Sequence, residues 1–166
     1  MRRISNILQL LVLTVTIMAF TSCSSDVVYT DTAEVNVDGW GITEKASFDA
    51  EIKAGIYDVA ILIRSTEEYQ YQNLWLFVDT KIGNTLMKTD TIEGYLSDNY
   101  GRRTGQGIGS KKTNLILLSD SVTMVDTTYH FEIRNGMRDV VLKGISDVGV
   151  MIKPRKEETK INDTDK

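Results

Sequence analysis

Apolar and polar residues alternate at every second position in several short stretches of this chain, and that spacing is typical of half-buried β-strands. In residues 46–52 the apolar side chains fall on the even positions and the polar ones lie between them. In residues 127–134, Tyr129, Phe131 and Ile133 share one face in the same way. No stretch shows a convincing amphipathic helix. The chain is therefore predicted to be an all-β protein.

The remaining strand predictions depend on runs of apolar and β-branched residues. Residues 56–64 follow Gly55 and indicate a more deeply buried strand. Residues 74–80 are apolar on both faces, which favours a central strand, and Trp75 is expected in the core. Shorter strands are expected at 85–92, 115–118 and 148–152, while 136–142 fits either a strand or a turn of helix. With Gly, Asn and Asp turns between them, these strands predict one antiparallel β-sandwich domain of the jelly-roll or Ig-like kind.

The N-terminus has the parts of an export signal. Met1-Arg2-Arg3 is positively charged, Ile7 to Phe20 is nearly uncharged and apolar, and Thr21-Ser22 supplies small residues. The apolar stretch is shorter than the roughly 20 residues that a helix needs to cross a bilayer. Residues 1–22 are therefore predicted to be a signal peptide that is removed.

Cys23 follows this signal directly and is the one cysteine in the chain, so it has no internal disulfide partner. Its position after small residues and before Ser24-Ser25-Asp26 favours lipid attachment, as in bacterial lipoproteins; a free thiol after ordinary cleavage is the alternative. Stable anchoring takes more than one acyl chain. The sequence thus predicts a partner in the lipid bilayer, with residues 23–37 as lipidated N-terminus and tether.

Composition limits the other partners. The formal net charge is −4, and phosphate binding needs clustered basic residues, so nucleic acid is not expected as a partner. The pairs Arg102-Arg103 and Lys111-Lys112 flank a glycine-rich loop and are expected to be solvated. After Pro154 the chain is highly charged, so 154–166 is predicted to be a disordered tail. The sandwich is accordingly placed at 38–153.

No combination of residues predicts catalysis, and we expect no enzyme activity, cofactor or metal. His130 is the only histidine and lies on the polar face of its strand, which favours an exposed structural role. A zinc site would need three or four ligands. The segment Gly105 to Gly109 resembles a phosphate-binding loop, but a β-rich run follows it instead of a helix, so a flexible hairpin or long loop is expected.

The aromatic residues are the better candidates for a binding surface. Tyr69 and Tyr71 precede a predicted strand, Trp75 lies within that strand, and Trp40 lies between two glycines. Exposed aromatic side chains on a sandwich can stack on sugars or anchor a protein interface. For the two tryptophans the favoured interpretation is structural, with Trp75 in the core and Trp40 packed across one end of the sandwich, and a binding role is the alternative.

Short elements in a fixed order make the chain resemble a known family. They include Gly39-Trp40, Leu62-Ile63-Arg64, Tyr69-Gln70-Tyr71-Gln72-Asn73-Leu74-Trp75, Asp90-Thr91-Ile92, Tyr129-His130-Phe131-Glu132-Ile133, Met137-Arg138 and Leu142-Lys143-Gly144-Ile145-Ser146-Asp147-Val148-Gly149. Following a lipoprotein signal, this order is similar to that of the gliding-motility lipoprotein GldH family of Bacteroidetes. The resemblance implies a non-catalytic accessory component of the gliding apparatus, which is linked to type IX secretion.

A partner in the cell envelope follows from this resemblance, and a surface glycan-binding lipoprotein is the alternative. For a docking partner the candidate residues are Tyr69, Tyr71 and Asn73, then Met137 and Arg138 with Asp147, and Trp40. Arg138 and Asp147 can instead form an ion pair, and Asn73 can satisfy a turn backbone. Surface lipoproteins of this phylum tend to carry an acidic cluster after the cysteine, whereas only Asp26 is present here. An outer-membrane lipoprotein facing the periplasm is therefore expected.

Overall fold

The computed structural model describes residues 26–107 and 109–155. The predicted signal peptide and Cys23, and the tail after Arg155, lie outside the described residues. The described chain forms strands in this order: β1 (Tyr29–Glu34), β2 (Trp40–Gly41), β3 (Ala46–Ile52), β4 (Gly55–Ser65), β5 (Asn73–Ile82), β6 (Thr85–Tyr95), β7 (Lys112–Met124), β8 (Thr127–Asn135), β9 (Val141–Leu142) and β10 (Ile145–Pro154). Within these residues no helix is long and apolar enough to cross a membrane.

The strand order is that of a jelly roll. Sheet I has the order β1-β10-β4-β7, sheet II has the order β3-β8-β5-β6, and β2 and β9 form a small separate pair. All neighbouring strands run antiparallel. Each four-stranded sheet takes two strands from each half of the chain, which is the double Greek-key arrangement of a jelly roll and not the immunoglobulin order. The predicted all-β sandwich is confirmed.

Alternating side chains of both sheets fill the space between them, as the sequence pattern predicts. In β3, Phe48, Ala50 and Ile52 are buried, and in β8 Phe131 and Ile133 are buried. Strand β5 is central, as expected, because it pairs with β6 on one side and β8 on the other. The core expectation for Trp75 is wrong, since its side chain is 39% exposed.

The tether is shorter than the sequence suggests. Residues 29–34, placed in the tether by the sequence analysis, form β1 and pair with β10 from Tyr29↔Ile152 to Glu34↔Asp147. Pro154, placed in the tail, ends β10 opposite Tyr57. Both segments lie at the edge or end of sheet I, where backbone hydrogen bonds form a strand that has little apolar pattern of its own.

Two other segments differ in extent or kind from the prediction. The strand expected at 115–118 extends over Lys112–Met124, because its polar second half pairs with the start of β4. The ambiguous segment at 136–142 contains the two-residue strand β9, which pairs with β2.

The two ends of the sandwich differ in their connections. The end that we call the turn end has the tight turns at 53–54, 83–84 and 125–126, together with the start of β1 and the end of β10. The opposite end, called the loop end, has the long connections at 35–45, 66–72, 96–111 and 136–144. All seven residues proposed from the sequence as partner-binding lie at or beside the loop end.

Candidate functional site

The small pair of β2 and β9 closes the loop end over the core. Trp40 is only 2% exposed, and its indole Nε1 donates a hydrogen bond to the Glu44 carbonyl at 3.2 Å. Asn135, at the end of β8, donates from Nδ2 to the carbonyls of Trp40 and Gly41, both at 3.2 Å. Trp40 therefore packs across the end of the sandwich, and its side chain is not available to a partner.

The connection at 66–72 holds two tyrosines edge to face, with ring centroids 5.8 Å apart. The Tyr69 hydroxyl donates to the Asn73 carbonyl at 2.6 Å, and burial raises the pKa of Tyr69. Tyr71 is exposed, and a hydrogen bond to the Asp139 carboxylate is the main reason that its pKa is raised. Tyr69 therefore stabilises the loop, while the ring of Tyr71 is accessible to a partner.

Gly144 sets the distance between this loop and the turn before β10. Its carbonyl accepts a hydrogen bond from the Thr66 backbone at 2.8 Å, and its φ is +81°. A Cβ atom there would overlap the backbone of Glu68 and Tyr69. Glycine is thus required for the tyrosine loop to lie where it does.

An aromatic face lies on the outside of sheet II beside the tyrosine loop. We define it by Trp75, Phe77 and Tyr95, which are exposed, whereas Leu74, Leu76 and Val78 between them point inward. Tyr95 is directly opposite Asn73, and Trp75 is opposite Glu93. Tyr95 and Trp75 are thus diagonal neighbours on adjacent strands, within reach of one another for side chains of this size.

Polar groups lie beside the aromatic face. The Asn73 amide donates to Glu93 Oε1 at 2.6 Å, and the Arg134 guanidinium lies over the Phe77 ring at 5.7 Å from its centroid. Met137 packs against the core, and its sulfur accepts a hydrogen bond from the Trp75 backbone at 3.5 Å. The Asn73 side chain bonds to a side chain on the neighbouring strand, not to a turn backbone as the alternative supposed.

Asp147 lies away from the aromatic face, on the outside of sheet I. Its carboxylate accepts a hydrogen bond from Arg64 Nη1 at 3.2 Å and from the Ser146 hydroxyl at 2.6 Å. The suggested ion pair between Asp147 and Arg138 is wrong. Asp147 pairs instead with Arg64, which lies opposite it on the neighbouring strand β4. Arg138 is exposed at the loop end.

The glycine-rich connection at 96–111 is a long loop, as expected, and Arg103 fixes it. Arg103 donates to the Ser65 carbonyl and, from Nη1, to the Ser110 carbonyl at 2.6 Å. Arg103 also pairs with Ser97 in a short β-bridge. The expectation that both arginines are solvated is therefore wrong for Arg103, whereas Arg102 is exposed and pairs with Asp98 at 2.7 Å.

Toward the turn end, the outside of sheet II changes from aromatic to charged. The Glu132 carboxylate accepts hydrogen bonds from the ammonium groups of Lys81 at 2.6 Å and Lys45 at 2.9 Å. These hydrogen bonds, of which the one from Lys81 has the larger effect, lower the pKa of Glu132 to about 2. His130 is half-buried, not exposed as expected, and its Nδ1 lies 2.7 Å from an Asp49 carboxylate oxygen. In the described part of the chain, no group of three or more His, Cys, Asp or Glu side chains is arranged to hold a metal.

The family model described as GldH lipoprotein matches residues 27–152, which is nearly the whole described domain. The chain belongs to the GldH lipoprotein family. The gliding motility lipoprotein GldH homolog of Christiangramia forsetii is 29% identical over 147 residues, covering 82% of this chain and 90% of that protein. The resemblance read from the sequence is confirmed. GldH lipoproteins are implicated in gliding motility, and membership assigns the chain to the cell envelope.

Two solved structures resemble this GldH lipoprotein only distantly. Dimeric latent PorU from Porphyromonas gingivalis is 10% identical with a TM-score of 0.34, over 81% of this chain and 14% of that one. Eiger TNF from S. frugiperda is 9% identical with a TM-score of 0.32, over 78% and 95% of the two chains. At these TM-scores neither superposition bears on the function of this chain.

The amino-acid sequence indicates the tyrosine loop of the GldH domain but not most of the aromatic face. Trp75 and Phe77 alternate with apolar residues on a central strand, a pattern that does not show which face is outside. Tyr95 follows Gly94 at the end of β6, where no sequence pattern marks it as a binding residue. The pairing of Asn73 with Tyr95 across β5 and β6 is what brings these rings together.

Proposed function

We propose that this protein is a non-catalytic accessory or scaffold component of the envelope machinery for gliding motility and type IX secretion. It is anchored in the outer membrane through acylated Cys23, faces the periplasm, and binds envelope protein partners through the aromatic face and Tyr71. The observation that supports this most strongly is the aromatic face, where Trp75 is 39% and Tyr95 is 60% exposed on the outside of sheet II.

The energetics of protein interfaces support this assignment. Interface hot spots are enriched in Trp and Tyr, because these side chains bury a large area at low cost in conformational entropy. Here Arg134 lies over the Phe77 ring, and the Asn73–Glu93 hydrogen bond joins the two strands that carry Trp75 and Tyr95. Rings on paired strands need less backbone ordering on binding than rings on a free loop would, so more of the contact energy remains.

Complementation of a deletion strain tests the proposal. The strain receives the wild-type gene, a Trp75→Ala/Tyr95→Ala allele, or a Glu51→Ala allele as the matched control. Glu51 is an exposed side chain on the outer face of the same sheet, at the turn end. We expect the deletion strain to lose type IX cargo secretion or envelope integrity, and we expect the double variant to accumulate normally yet to show the same loss. Full complementation by the double variant would contradict the proposal.

One observation favours glycan binding as a second candidate. The rings of Trp75 and Tyr95 lie beside the hydrogen-bonded pair of Asn73 and Glu93, so an aromatic platform adjoins amide and carboxylate groups. This combination suits a sugar ring, which stacks by its apolar face and hydrogen-bonds at its edge. Trp40 cannot take part because it is buried. Glycan-array binding that disappears in Trp75→Ala would favour this candidate, and binding that persists would remove it.

A further inference from the structure

The attachment of β1 at the turn end limits how the domain can stand on a membrane. Six peptide units separate Cys23 from Tyr29, so the lipidated residue lies within about 20 Å of the sandwich even when the chain is fully extended. Tyr29 is opposite Ile152, close to the end of β10. The turn end is thus the part of the domain that the anchor holds near the bilayer.

An inverted orientation does not fit this reach. On β10, Ile152 and Ile145 are seven residues apart, which is about 23 Å along a strand. The connections of the loop end extend farther in the same direction. To touch the bilayer with the loop end, Tyr29 would have to rise beyond the length of its link to Cys23.

The turn end carries exposed apolar side chains, as the loop end also does, and these suit contact with a bilayer. Exposed apolar side chains lie in or beside its turns and at the start of β1. They are Val28, Ile56, Leu86, Met87 and Val125. Several charges at this end are compensated locally, because Lys53 pairs with Asp126 at 3.3 Å and Arg155 pairs with both Asp58 and Asp120. Paired charges lose less free energy than isolated ones when they approach a medium of low dielectric constant.

We propose that the turn end rests on the bilayer, with its apolar side chains in the headgroup layer, and that the loop end points away from the membrane. The interaction depends on the predicted acylation of Cys23 and on apolar contact, since basic and acidic groups are mixed at this end. It therefore needs no anionic lipid, in contrast to anchors that rely on a polybasic patch. The aromatic face is consequently presented to partners at a fixed distance from the membrane.

Fluorescence quenching in liposomes tests this orientation. The acylated protein is reconstituted in phosphatidylethanolamine and phosphatidylglycerol vesicles after Val125→Cys or Val140→Cys, and the introduced thiol is labelled. Val125 and Val140 are exposed valines at opposite ends, 57% and 74% accessible. Because Cys23 is acylated, the introduced cysteine is the one free thiol of the chain.

We expect nitroxide-bearing lipids to quench the label at residue 125 several-fold more strongly than the label at residue 140, with and without phosphatidylglycerol. Equal quenching at the two positions, stronger quenching at 140, or no quenching at either would overturn the proposal. A Cys23→Ser chain should no longer float with the vesicles, and flotation of that chain would refute the anchor itself. None of these readouts involves a protein partner, so failure here is distinguishable from failure of the proposed function.

Discussion

Arg64 and Asp147 form an ion pair across β4 and β10, with Nη1 and Oδ1 3.2 Å apart. The Asp147 side chain is largely buried, and the Ser146 hydroxyl binds its second oxygen. Asp147→Asn should therefore lower the free energy of unfolding by about 1–2 kcal/mol, because the charge-assisted hydrogen bond is lost. Urea denaturation of the unacylated chain measures the change. Arg138→Gln is the matched control and should leave the midpoint unchanged; an equal loss in both variants would contradict this assignment.

The ion pairs around Glu132 predict a pH dependence of stability. Lys81 and Lys45 lower the pKa of Glu132 from the ordinary 4.5 to about 2 in the folded protein. The stabilising contribution is therefore fully present above pH 4.5 and is lost as the pH falls from 4.5 toward 2. Because the lysines remain partly solvated, we expect about 1–2 kcal/mol.

Comparison of pH titrations isolates this contribution. The difference in unfolding free energy between wild type and Glu132→Gln should be largest at neutral pH and should shrink below pH 4.5. Glu67→Gln changes an exposed carboxylate and serves as the control. A difference for Glu132→Gln that stays constant down to acid pH would show that the lysine contacts do not stabilise the charged form.

Replacement by alanine should reduce stability strongly at Trp40 and only slightly at Trp75. Trp40→Ala removes a fully buried side chain under the β2–β9 pair and should cost about 3–5 kcal/mol of stability. Trp75→Ala removes an exposed ring and should change the unfolding midpoint little, while it weakens partner binding. Thermal unfolding of both variants checks the contrast, and a larger loss for Trp75 than for Trp40 would contradict the placement of these side chains.

Gly144 is expected to be intolerant of a side chain. With φ at +81° and the backbone of Tyr69 against it, Gly144→Ala combines strain in the left-handed region with overlap that the tyrosine loop must relieve. We expect a loss above about 2 kcal/mol. Gly83→Ala is the matched control, since its φ of +55° is also positive but no atom lies within 4 Å. Similar stabilities of the two variants would show that the close approach to Tyr69 is unimportant.

The local sequence pattern predicts most of the fold. The features that it does not predict depend on pairing between residues that are distant in the chain. The alternation in residues 46–52 and 127–134 predicts β3 and β8 correctly, because each has one apolar face. Strand β1 has mostly polar residues and becomes a strand only by pairing with β10, so its own sequence does not indicate a strand. The Arg64–Asp147 pair likewise joins residues that are distant in sequence.

The same distinction applies to the candidate site. Tyr71 and its neighbours were found because aromatic residues cluster locally before a strand. The aromatic face is not predictable in this way, because Tyr95 and Trp75 come together only through the register of β5 and β6. In addition, a strand that is apolar on both faces does not show which face is buried. The burial of Trp40 is not predictable for a related reason, since the β2–β9 pair that buries it joins segments far apart in the chain.

Site-specific photocrosslinking in the native host is the most direct test of partner binding at the aromatic face. A photoreactive amino acid replaces Tyr95 in one strain and Glu51, on the same outer face at the turn end, in another. We predict that the probe at 95 captures an envelope protein of the gliding or type IX secretion machinery and that the probe at 51 does not. Absence of any envelope-protein adduct at 95, or the same adduct from both positions, would contradict the account.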